Sequence, residues 1–118
     1  MTEDVEKLRK RLEELKKKKE KLELLKNIRD GQVFILSTDY CQPCEELLNH
    51  KYIKKEIEKG NIIVLKDGKL KELIEEELPV TSYPYIAVYY KGIGFVDKDT
   101  AKKLELEWAK ERHEKVSD

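Results

Sequence analysis

Cys41 and Cys44, in the stretch "STDYCQPCEELL", are the only cysteines of this chain, and two residues separate them. Residues of this type at this spacing can clamp a metal, staple a loop or act as a reactive dithiol. Cys41 is expected just after a strand and Cys44 in the first turn of the helix that follows. A helix start carries unpaired N–H groups and the positive end of the macrodipole, so it stabilises a thiolate at Cys41 and lowers its pKa. The thiolate is the nucleophile. Residues three apart on a helix share a face, so Cys44 can reach back and close a disulfide with Cys41. A loop that short constrains little unfolded-chain entropy, which makes the bond a poor staple and a good switch. Pro43 suits the first helical positions, where no N–H is needed and a fixed φ helps. Chemically, Cys41 would attack a partner disulfide and Cys44 would resolve the mixed disulfide, releasing the reduced partner; run backwards, the steps oxidise a dithiol.

The metal alternative asks for more ligands than the chain offers. Structural zinc takes four, usually as two separated pairs, and here one cysteine pair is accompanied only by His50 and His113. His50 is expected on the helix after the motif and His113 in the charged turn "KERHEK", both as surface side chains. A zinc site shared between two chains is the remaining metal reading. The expectation is no metal and no cofactor.

These residues must be positioned by the elements around them. "QVFILS" (32–37) reads as a buried strand and residues 43–59 as a helix, with Leu47, Leu48, Ile53 and Ile57 near helical spacing and Gly60 as its stop. "NIIVLK" (61–66) is a second strand, Leu70 to Leu78 a short helix closed by Pro79, and "YIAVYY" (85–90) a third strand. "KG" turns the chain into a fourth strand at 93–96, and Asp97 or Asp99 caps a last helix with Ala101, Leu104 and Trp108 facing inward. Strands separated by a helix imply a parallel right-handed crossover, and strands separated by two residues an antiparallel hairpin. The expected fold is α/β, a four-stranded mixed sheet with helices on both faces.

Residues 3–28 precede this order as one long amphipathic helix, with Val5, Leu8, Leu12, Leu15, Leu22 and Leu25 among lysines and glutamates. Residues 1–30 thus form an N-terminal extension and 31–118 the domain. The stripe is narrow, like a coiled-coil seam, and it is broken by Lys16 to Lys19. It either packs on the sheet domain or joins a second chain as a homodimer, the reading that the narrow seam favours.

Composition narrows the partners. Lys plus Arg and Asp plus Glu each number 25 in 118 residues, so no overall field draws in nucleic acid or an anionic membrane. The tyrosines Tyr83, Tyr85, Tyr89 and Tyr90 lack a basic groove and are expected to pack between sheet and helices. No apolar run reaches the ~18 residues of a membrane span and the N-terminus lacks a secretory signal's apolar core, so a cytoplasmic location is expected. Charged residues make up 42% of the chain. That bias is the one of hyperthermophile proteins, in whose cytoplasm thiols often pair, or of a chain with much exposed helix.

The order of elements and the segments "DYCQPC" and "VTSYPYIAVYYKG" resemble the thioredoxin superfamily, and in size its glutaredoxin-like branch, over about residues 32–115. Tyr40 stands where thioredoxins usually carry Trp. The resemblance implies a thioredoxin-like fold and a protein thiol-disulfide oxidoreductase working on protein disulfides or dithiols, reset by an unnamed reductant. It implies that Pro84 is a cis-proline that opens a strand and shapes the substrate-docking groove, and that Tyr83, with Tyr40, contacts the substrate. Ile35 stands where thioredoxins bury an Asp beneath the dithiol, and Glu45 and Glu46 follow the second cysteine. A redox-inactive assembly module using the N-terminal helix is the alternative function.

Overall fold

A computed structural model describes residues 2–117, and the side chains of residues 3–113. The elements run α1 (Thr2–Leu25), β1 (Gln32–Leu36), α2 (Gln42–Leu48), α3 (Lys51–Glu58), β2 (Ile62–Leu65), α4 (Lys69–Glu77), β3 (Tyr85–Tyr90), β4 (Gly94–Asp97) and α5 (Lys98–Ser117). The four strands form one sheet in the order β2-β1-β3-β4, with β1 parallel to β2 and antiparallel to β3, and β3 antiparallel to β4. The chain is thus α/β with a mixed sheet, as the periodicity predicts.

β1 lies inside the sheet and is buried on both faces, which explains its nearly uninterrupted apolar run: Phe34, Ile35 and Leu36 are all buried. Phe34 and Leu36, with Ala87 of β3 and Phe95 of β4, face Ile74, Leu70 and Leu73 of α4. Val88 and Tyr90 of β3, with Val33 and Val96, face Ala101, Leu104 and Trp108 of α5. Helices therefore cover both faces, and the predicted inward stripe of α5 is the observed one. Of the four tyrosines, Tyr83, Tyr85 and Tyr89 pack on the α4 side and Tyr90 on the α5 side, edge-on to Trp108 at 5.2 Å.

Gln32, buried at the start of β1, donates from Nε2 to the carbonyls of Asn61 (2.9 Å), Gly60 (3.3 Å) and Val33 (3.2 Å). It ties β1 to the turn that enters β2.

Three expectations need correction. First, α1 ends at Leu25, not near residue 28: the chain turns there and carries Leu25 and Ile28 onto the Phe34 cluster. Second, the single helix expected over 43–59 is two, broken at Asn49 and at His50, whose backbone is extended (φ −62°, ψ 133°). In an unbroken helix Ile53 would point roughly 140° away from Leu48, so one helix cannot turn both pairs of apolar residues inward. The break resets the phase. Third, Tyr90 pairs with Gly94, so the hairpin loop has three residues and Ile93, expected in the strand, stands exposed. Gly92 and Gly94 take φ of 85° and 105°, a region costly for other residues. Of the two candidate caps for α5, Asp97 acts, accepting from the Thr100 N–H at 2.7 Å.

No helix among the described residues is long and apolar enough to cross a membrane.

Candidate functional site

The chain leaves β1 at Leu36, turns through residues 37–40 and enters α2 at the cysteines. Tyr40 makes the turn with φ of 56°, a left-handed conformation uncommon for a non-glycine residue, and its side chain is fully exposed. Cys41 is the N-cap of α2, with extended backbone, and Pro43 sits in the first turn as the sequence predicts. Cys41 and Cys44 are joined by a disulfide, their Cα atoms 5.2 Å apart.

The two sulfurs have unequal surroundings. Cys44 is 1% exposed, whereas Cys41 is only partly covered. The Cys41 sulfur accepts the backbone N–H of Cys44 at 3.2 Å, and the Cys44 side chain is turned inward. One residue of the pair meets solvent and holds a backbone donor on its sulfur; the other is enclosed. Glu45 and Glu46, which follow the pair, are exposed, so water screens their charge. Ile35 is buried at the middle of β1 and brings no ionisable group to the interior.

The segment before β3 comes to the same place. The Tyr83 carbonyl oxygen lies 3.7 Å from the Cys41 sulfur, and the Tyr83–Pro84 peptide bond is cis. The fold thus gathers Tyr40, Cys41, Pro43, Cys44, Tyr83 and Pro84 at the end of the sheet where β1 finishes and β3 begins.

Behind this surface is a contact that sequence reasoning did not find. The Tyr83 hydroxyl donates to Glu75 Oε1 of α4 at 2.9 Å, and Lys71 Nζ lies 4.7 Å above the Tyr83 ring. Lys71 also pairs with Glu75 at 3.5 Å and donates to the Lys66 carbonyl at 3.1 Å. The hydrogen bond to Glu75, then burial and the carboxylate's charge, raise the Tyr83 phenol above its ordinary pKa of 10.0. Lys71 and Glu75 stand at helical i,i+4 spacing, the one part of this arrangement the sequence displays. That they meet Tyr83 depends on how α4 lies against the loop.

The histidines stand apart from one another. His50 begins α3 and stacks on Tyr52 with ring centres 6.1 Å apart, and His113 is exposed on α5. Among the described residues no three His, Cys, Asp or Glu side chains gather as metal ligands.

Chemically, the arrangement offers a disulfide whose outer sulfur a thiolate can approach, and, once reduced, an outer sulfur whose charge a backbone N–H can hold. Compared with protein-family models, curated proteins and solved structures, the chain finds no match in any of the three.

Proposed function

We propose that this chain is a protein thiol-disulfide oxidoreductase with a thioredoxin-like fold, Cys41 attacking and Cys44 resolving. The observation that carries the reading is the asymmetry of the pair: Cys41 is reachable and capped by the Cys44 N–H, and Cys44 is enclosed behind it. Sheet order and the placement of Tyr83 and Pro84 beside the Cys41 sulfur also support it.

The reduced Cys41 thiolate attacks one sulfur of a partner disulfide, and the partner's other sulfur leaves as a thiolate and takes a proton from water. Cys44 gives up its proton and attacks the Cys41 sulfur; the mixed disulfide breaks and the second partner sulfur departs. The partner gains two electrons from the Cys41–Cys44 pair and two protons, one from water and one released by Cys44. An external dithiol resets the pair. Tyr83 lends its main chain to the docked partner and the exposed Tyr40 ring adds contact area. A cytoplasmic setting belongs to the same reading.

Insulin reduction by dithiothreitol tests it. The wild type should accelerate the reaction and Cys41→Ser should return it to the uncatalysed rate; equal rates for the two would remove the enzyme reading. In that event the second reading, an assembly module acting through α1, is the one left, favoured by the exposed apolar stripe of that helix.

A further inference from the structure

α1 turns two different faces to its surroundings. Near its C-terminal end Lys17, Lys18, Lys21 and Leu24 line a cleft with Leu73 and Glu77 of α4, and Lys21 Nζ is 2.6 Å from Glu77 Oε1. Val5, Leu8, Leu12, Leu15 and Leu22 lie on another face and are between 49% and 69% exposed. Residues 3–23 of α1 are all exposed, and the chain is elongated, with a radius of gyration of 18.4 Å against the ~13 to 14 Å of a compact chain this long.

Assigning Val5 to the first position of a heptad puts Val5, Leu12 and Lys19 at its a positions and Leu8, Leu15 and Leu22 at its d positions. Lys17 and Leu24 then fall at f, diametrically opposite the a/d seam. Lys21 falls at c, and Lys18 and Leu25 at g. The domain therefore lies behind the helix and toward its g side at the C-terminal end, and the a/d seam itself stays open to a second helix.

We propose that the occupant of this seam is a second copy of the chain, aligned parallel and in register. The flanking charges decide the direction. In a parallel pair Asp4 faces Arg9 of the other copy and Lys18 faces Glu23, both attractive; Arg11 faces Lys16, which is repulsive. In the antiparallel pair with the same seam, Arg9 faces Lys16 and Arg11 faces Lys18, both repulsive, and Glu23 faces no cation. Lys19 meets its own copy in the parallel pair, which costs stability there, and a lone lysine at an a position selects one register and oligomer state. The two redox faces, each on its own domain, remain open to partners. With three heptads, one interrupted, the dimer is concentration-dependent.

Sedimentation equilibrium of the reduced 118-residue chain, from low micromolar to several hundred micromolar, tests the proposal. The mass should rise from 14.0 kDa toward twice that value. Leu12→Asp should hold the chain at the monomer mass with an unchanged Trp108 emission spectrum, since Leu12 is exposed and the domain does not rest on it. Lys19→Leu should tighten association. Glu23→Lys separates the two directions: it converts an attraction into a repulsion in the parallel pair and should weaken association roughly tenfold. A monomer at every concentration, a trimer or tetramer, or a dimer indifferent to Glu23→Lys would each overturn it.

Discussion

The sulfur of Cys41 and the carbonyl oxygen of Tyr83 lie 3.7 Å apart although they stand 42 positions apart in the chain. The same sulfur accepts the Cys44 N–H at 3.2 Å. In the reduced protein the N–H stabilises the thiolate, so alkylation of Cys41 should persist to a pH below the ~8.5 of a free thiol. Rates of iodoacetamide reaction against pH, measured on Cys44→Ser, check this; a midpoint at or above the free-thiol value sinks the activation argument. The same variant should accumulate a mixed disulfide with its partner, visible as a mass increase that dithiothreitol reverses.

Glu75 restrains Tyr83 through its phenol. Replacing it by Leu removes the main cause of the raised Tyr83 pKa, and the phenol should titrate nearer 10.0, read by absorbance of tyrosinate. If Tyr83 docks the partner through its main chain, Glu75→Leu should raise KM for insulin more than it lowers kcat. An unchanged KM would detach Tyr83 from substrate docking.

Tyr40 combines a strained backbone with an exposed ring. Tyr40→Asn keeps a residue that tolerates φ above zero and removes the ring. It should leave Tm within about 2 °C while raising KM. A large fall in Tm with no kinetic change would make Tyr40 structural.

Asp97 caps α5, and hydrogen bonds from Thr100, then the charge of Lys103, lower its pKa. Asp97→Ala should cost about 1 kcal/mol at neutral pH. Because the folded pKa is the lower one, this contribution is present above the unfolded value near ~3.9 and is lost as pH falls through the folded value. Wild type and Asp97→Ala should therefore converge in Tm in acid. A constant difference down to the lowest measurable pH would contradict the linkage.

Tyr90 behaves in the opposite sense. Burial, then the hydrogen bond to Glu105 and the charges of Glu105 and Asp30, push its pKa up to about 12. Its contribution is complete below pH 10.0, the ordinary value, and is lost as pH rises through about 12. Tyr90→Phe should cost about 1 kcal/mol at neutral pH and flatten the alkaline fall in stability. Fluorescence of Trp108, the only tryptophan and a direct neighbour of Tyr90, reports the unfolding.

Much of the fold was legible because its signals are local. The apolar runs at 32–37, 61–66 and 85–90 became strands, and the stripe of Ala101, Leu104 and Trp108 became the inner face of α5. Residues 43–59 misled because their composition suits a helix throughout, whereas the phase between Leu48 and Ile53 does not. The hairpin was displaced by one residue because Gly92 and Gly94 permit a longer loop than the "KG" pair suggests.

By itself the sequence determined which residues could carry chemistry, since two cysteines at this spacing before a helix admit few uses, and it determined the class of fold through the change of period from seam to strands. Only the tertiary structure decided how the two cysteines differ, which of them solvent reaches, and that Tyr83 and Pro84 stand over the Cys41 sulfur with Glu75 and Lys71 behind them. The reason is physical. Periodicity and capping act within a few residues, whereas burial and a contact across 42 residues exist only after the sheet has brought the end of β1 against the start of β3.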